Sequence, residues 1–110
     1  MVHTVTPAEL AELVSNQTVD LIDVREPSEW DTGHIPGARL VPLATFRADP
    51  DAVMSKTLPT VFICAKGVRS MQAAKLAERF GYEPLYNLEG GTKEWARVGL
   101  PLLVESRVAA

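Results

Sequence analysis

At 110 residues, with 46% apolar and 23% charged side chains, the chain is long enough for one globular domain with its own core and too short for two. A formal net charge of −3 and a pI near 5.3 argue against the basic surface of a nucleic-acid binder, and no apolar run approaches the roughly 18 residues that span a membrane. The opening Met1-Val2-His3-Thr4 carries neither the charged nor the apolar part of a secretory signal, so the expected location is cytoplasmic, a reducing compartment with no membrane association.

Short apolar strands alternate with helical segments, the pattern of an α/β domain around a largely parallel sheet. Thr6-Pro7-Ala8-Glu9 predicts a helix start, with Thr6 as cap, Pro7 in the first turn and Glu9 in capping-box position. Leu10, Leu13 and Val14 supply its inward face. Residues 19–24 (Val-Asp-Leu-Ile-Asp-Val) and 61–64 (Val-Phe-Ile-Cys) read as buried strands, and 85–88 (Leu-Tyr-Asn-Leu) as a shorter one. Ala73, Leu76, Ala77 and Phe80 follow helical spacing opposite Gln72, Lys75, Glu78 and Arg79, with Gly81 as a stop. Gly90-Gly91 predicts a tight turn into a last helix and not a phosphate loop, because no strand–Gly-x-Gly-x-x-Gly–helix unit surrounds it. Trp30 and Trp95 read as core anchors and His34 as a structural turn residue. One Cys and two separated His residues offer no ligand cluster, so neither a metal nor any other cofactor is expected.

The chemistry concentrates at one junction. The strand ending at Cys64 breaks into Ala65-Lys66-Gly67-Val68-Arg69-Ser70, after which the helical pattern begins. The first turn of a helix leaves about four N–H groups without intrahelical partners, and they form the positive end of the helix dipole. Gly67 lets the backbone curl so that these groups converge, while Lys66 and Arg69 add full charges in a stretch that contains no acid. Such surroundings hold a thiol below its ordinary pKa and favour the nucleophilic thiolate. Arg69, and to a lesser degree Lys66, are expected to point at the sulfur, and Ser70 to cap the following helix. The chain has a single cysteine, so no internal disulfide competes for the thiol and no second thiol resolves an intermediate. In open parallel sheets ligands bind beyond the carboxyl ends of the strands, which is where Cys64 falls.

Asp23-Val24-Arg25-Glu26, Glu29-Trp30, Gly33-His34-Ile35-Pro36-Gly37-Ala38, the Cys64 loop and Glu89-Gly90-Gly91-Thr92-Lys93-Glu94-Trp95 with Gly99-Leu100-Pro101 follow one another in order. Together these blocks resemble the single-domain rhodaneses. The resemblance covers residues 6–101, the expected core of a single domain 1–110 with a short C-terminal tail, 102–110. It implies a three-layer α/β domain with a central, mostly parallel five-stranded sheet flanked by helices. It also implies a sulfurtransferase, in which a cysteine at the position of Cys64 takes the outer sulfur of a donor such as thiosulfate and passes it from the persulfide to cyanide or a cellular thiol. The expected partners are these small donors and acceptors, with a sulfur-relay protein as a further acceptor. Ala65, Lys66, Gly67, Val68, Arg69 and Ser70 would bind substrate and persulfide. Asp23 and Arg25 are candidates for a supporting role from the neighbouring strand end, weighed against a structural ion pair such as Arg25 with Glu29.

Two rivals remain. A persulfide carrier docking on a partner protein would use the same loop. A cysteine phosphatase or arsenate reductase would also need a thiolate and an arginine, but four residues separate Cys64 from Arg69 here, against five in the phosphatase signature. The shorter loop forms a tighter cradle, better matched to one sulfur than to a tetrahedral phosphate.

Overall fold

The computed structural model describes residues 1–104. In chain order the elements are β1 (Val2–Val5), α1 (Pro7–Asn16), β2 (Asp20–Asp23), α2 (Pro27–Trp30), β3 (Ala38–Leu40), α3 (Leu43–Ala48), α4 (Pro50–Val53), β4 (Thr60–Ile63), α5 (Val68–Arg79), β5 (Leu85–Leu88) and α6 (Gly91–Arg97). The sheet has five strands in the order β1-β5-β4-β2-β3, and every pairing is parallel. All strands therefore end on one side. Among the described residues, no helix is long and apolar enough to cross a membrane.

Side chains alternate across the central strands, so each face of the sheet builds its own core. On one face Ile22, Phe62 and Cys64 pack with Phe46 of α3 and with Ala73, Ala74 and Ala77 of α5. On the other, Leu21, Val61, Ile63 and Leu88 pack with Leu10 of α1 and Trp95 of α6. Burial on both faces explains why β4 reads as an apolar run, Val61-Phe62-Ile63, and why β2 has adjacent apolar residues, Leu21-Ile22, at its centre.

The helix start at Thr6 is as predicted. The Glu9 N–H donates to Thr6 Oγ1 at 3.2 Å, and the Thr6 N–H donates to Glu9 Oε1 at 2.9 Å. Two predicted inward residues are not inward: Val14 is 41% exposed and Phe80 is 49% exposed. Each lies at the end of its apolar stripe, where the helix has run past the sheet. Trp30 is only half-buried and stacks on His34, with ring centroids 3.7 Å apart and planes within 3°. Trp95 does fill the core, and its indole N–H donates to the Pro101 carbonyl at 2.8 Å.

β1 lies ahead of residue 6, the expected start of the core, and pairs with β5 from Val2 to Val5. At the other end, Leu103 and His34 exchange backbone hydrogen bonds of 2.9 and 2.8 Å, which ties the first part of the expected tail to the Gly33-His34 turn. The rest of that tail, 105–110, lies outside the described residues.

Candidate active site

Parallel pairing of β2 with β4 sets Asp23 beside Ile63, so the segments that follow both strands emerge together at the carboxyl edge of the sheet. After Ile63 the chain turns through Cys64 and its loop into α5. Gly67 stands at the helix N-cap with φ of 98°, a left-handed conformation that suits glycine. This turn aims the Gly67 N–H at Cys64 Sγ, 3.1 Å away. Cys64 is 1% exposed. Burial pushes the thiol pKa up, but the Ser70 hydroxyl and the N–H groups of Ser70, Lys66 and Gly67 outweigh it, and the net shift is downward. At a given pH more of Cys64 is thiolate than for an ordinary cysteine.

Ser70 does not cap α5. It lies inside the first turn, fully buried, with Oγ 3.2 Å from Cys64 Sγ and 2.5 Å from Asn87 Oδ1. Asn87 Nδ2 donates to the Gly67 carbonyl at 3.1 Å, which turns its oxygen towards Ser70. The hydroxyl has one proton and two acceptors within reach once the sulfur is ionised. In the thiol form Ser70 donates to Asn87 and can accept from S–H; in the thiolate form its proton is wanted at sulfur. Ser70→Ala is expected to raise the thiol pKa, moving the pH profile of iodoacetamide alkylation to higher pH. An unmoved profile would show that the backbone N–H groups alone set the acidity.

A cavity of about 490 Å³ opens over the loop, lined by Glu29, Cys64, Ala65, Lys66, Val68, Arg69 and Lys93. Arg69 lines it, but not as a free cation. Its Nη1 and Nη2 donate to Glu29 Oε1 and Oε2 at 2.8 and 2.9 Å. The guanidinium holds the Glu29 carboxyl down at about 2, against some opposition from burial, so the pair stays ionised throughout the physiological range. The acid missing from the loop thus arrives from α2, 40 residues away. Glu29 Oε1 also accepts the Glu26 N–H at 3.0 Å, which seats the carboxylate on the helix end.

The expected Arg25–Glu29 pair is therefore replaced. Arg25 turns into the protein and pairs with Asp23, with Nε 3.0 Å from both carboxylate oxygens and Nη2 2.8 Å from Oδ2. Both residues are buried. The remaining Arg25 donors reach the Glu29 carbonyl at 3.2 Å and the Gly33 carbonyl at 2.9 Å. Asp23 and Arg25 do not line the cavity; they brace α2, which holds Glu29 against Arg69.

The Gly90-Gly91 turn is also part of this edge. The Thr92 and Lys93 N–H groups donate to the Cys64 and Ala65 carbonyls at 2.9 and 3.1 Å. A Cβ on Gly91 would lie 2.3 Å from the Cys64 oxygen and 2.5 Å from the Ala65 carbonyl, and Gly91 has φ of 59°. Backbone stands in the way, so nothing can rotate aside. Gly91→Ala is expected to cost about 2–4 kcal/mol of stability in a urea titration and to displace the loop, whereas Gly37→Ala, with nothing within 4 Å of its Cβ, should cost about 1 kcal/mol. Equal costs would contradict the close approach of α6.

Residues 6–98 match the Rhodanese-like domain family. The chain belongs to that family. Rhodanese-like relatives include a protein of Allochromatium vinosum named "Sulfurtransferase", 34% identical over 104 residues that cover 94% of this chain and 96% of that one. The "Probable adenylyltransferase/sulfurtransferase MoeZ" of Mycobacterium tuberculosis is 37% identical over 103 residues, 92% of this chain. The present chain spans only 26% of the length of that larger protein. Among solved structures, a rhodanese-like domain protein from Staphylococcus aureus superposes with a TM-score of 0.81 at 31% identity, covering 96% of this chain and all of the other. Both of these curated relatives carry sulfurtransferase in their names.

Of the sequence blocks that resemble the family, the Cys64 loop supplies most of the cavity lining and two others add Glu29 and Lys93. Lys93 and Asn87 were missed as parts of the site. Their only signal was position: each sits at or just beyond the carboxyl end of β5, the strand next to β4.

Proposed function

We propose that the protein is a sulfurtransferase working through a persulfide on Cys64, with thiosulfate as donor and cyanide or a cellular thiol as acceptor. The observation that carries this reading is the placement of the buried Cys64 Sγ against the Gly67 N–H at 3.1 Å, in a loop whose N–H groups and Ser70 hydroxyl lower the thiol pKa. The Cys64 thiolate attacks the outer sulfur of thiosulfate. The Sγ–S bond forms, the donor S–S bond breaks, and its electron pair leaves with sulfite. The resulting persulfide anion ends in a sulfur that the same N–H groups stabilise. Cyanide then attacks that terminal sulfur and leaves as thiocyanate, and the electron pair of the breaking bond returns to Cys64 as thiolate. The thiolate form of Cys64, which the loop favours, attacks without a general base, and no proton is transferred in either half with cyanide as acceptor. An external acceptor is needed, because the chain holds no second cysteine.

The engagement of Arg69 with Glu29 favours this reading over a phosphatase. A phosphate cradle needs an arginine fork open to the anion, and here the fork is filled by a carboxylate. The test is thiocyanate formation from thiosulfate and cyanide, alongside intact-mass measurement after thiosulfate alone. Turnover together with one added sulfur on Cys64 is the expected result. A folded protein that adds no sulfur from thiosulfate would overturn the proposal. Discharge of the persulfide to one protein and not to small thiols would turn the enzyme reading into the carrier reading.

A further inference from the structure

Two lysines line the cavity over Cys64, Lys66 on the loop and Lys93 on α6. Both side chains are exposed, and among the described residues neither forms an ion pair. The two other charges lining the cavity, Arg69 and Glu29, cancel each other. The uncompensated charge at the mouth is therefore positive and comes from two separate elements, within a chain whose net charge is −3.

We propose that Lys93, acting with Lys66, is the donor-recognition residue: it grips the anionic oxygens of a thiosulfonate-class donor, while Arg69, held by Glu29, shapes the wall and does not bind the donor directly. The inference rests on the sulfur-transfer reading and names the group within that site that selects the substrate. Lys93 is suited to this because its backbone is not free to drift. Its N–H donates to the Ala65 carbonyl at 3.1 Å, the preceding Thr92 N–H donates to the Cys64 carbonyl at 2.9 Å, and Gly91 packs directly on both peptide groups. The root of the Lys93 side chain is thus fixed relative to the sulfur, and only the flexible stem has to adapt. Thiosulfate is a dianion, and so is the sulfite it leaves behind, so two lysines lining one cavity match in charge both the bound donor and the leaving group. The rest of the lining, Ala65 and the exposed Val68, offers no competing polar contact.

The experiment is steady-state thiocyanate formation by Lys93→Met and Lys93→Arg, together with calorimetric binding of thiosulfate to the unreactive Cys64→Ser protein with and without Lys93→Met. Lys93→Met is expected to raise the KM for thiosulfate about tenfold, with a much smaller effect on kcat, and Lys93→Arg to restore most of the loss. Thiosulfate binding to Cys64→Ser should weaken by a similar factor when Lys93 is replaced, and should lose its dependence on salt in part. An unchanged KM in Lys93→Met, or an arginine variant no better than methionine, would overturn the assignment. The binding arm needs no turnover. Lys93-dependent binding without any thiocyanate would keep this inference and sink the sulfur-transfer reading; turnover with Lys93-independent binding would do the reverse.

Discussion

Cys64→Ser is expected to reduce thiocyanate formation to the uncatalysed background while leaving the fold intact. Loss of a covalent nucleophile is the largest single catalytic defect available, on the order of 10⁶-fold in kcat where the nucleophile of a serine protease has been removed. The serine hydroxyl would occupy the same buried position facing the Gly67 N–H and Ser70, but a loop that shifts a thiol pKa downward is far too weak to ionise an alcohol. The small change in volume at a site 1% exposed should alter stability by less than about 1.5 kcal/mol. The two readouts separate chemistry from folding. Measurable turnover in a Cys64→Ser preparation free of wild-type protein would move the sulfur-accepting atom elsewhere and with it the whole mechanism.

Arg25→Met should have the largest effect on stability, a loss of about 3–5 kcal/mol in urea unfolding, because it leaves the Asp23 carboxylate buried without its partner. Asp23 is fully buried and Arg25 is 4% exposed, and the guanidinium meets both carboxylate oxygens. The change also strips donors from the Glu29 and Gly33 carbonyls. Asp23→Leu with Arg25→Met should recover part of the loss, since removing both charges is far cheaper than stranding one. Activity is expected to fall in the single variant beyond what unfolding explains, because α2 carries the carboxylate that positions Arg69. A cost below about 1 kcal/mol would show that water or a moved side chain can replace Arg25, and the bracing role would fail. The contrast with the Glu29–Arg69 pair is instructive. That pair is about one-third exposed on each side chain, so its own contribution to stability is small, and its importance lies in where it leaves Arg69.

How far the sequence reaches can be judged from single elements. The capping box at Thr6 and Glu9 was legible because both hydrogen bonds span three residues, a separation that local geometry decides. The strand at 85–88 is legible to the residue and β2 and β4 to within a residue, because burial on both faces sets apolar residues side by side, as in Leu21-Ile22, Val61-Phe62-Ile63 and Leu85-Tyr86. β1 and β3 were not foreseen. They are edge strands of four and three residues with exposed positions, and such short half-polar segments carry no period. The Cys64 loop was recognisable for the same local reason as the capping box: a strand end, a glycine and a helix start follow one another without interruption.

The charge state of the site is the opposite case. From the chain alone Arg69 stood in a stretch without acids, and the pairing of Arg25 with Glu29 looked natural at a spacing of four. Parallel pairing of β2 with β4 carried α2 across to the Cys64 loop, where Glu29 met Arg69 and left Arg25 to the buried Asp23. Asn87, 17 residues from Ser70, reached the Ser70 hydroxyl through β5, and Lys93 reached the cavity through α6 in the same manner. What the sequence alone determined, then, was the family, the α/β class, the nucleophile candidate and the loop around it, since each is written in contiguous residues or in a period. Which cation is free, which is neutralised and what holds the Ser70 hydroxyl were decided only by the tertiary structure, because a charge acts through space and its partners are set by strand order and register.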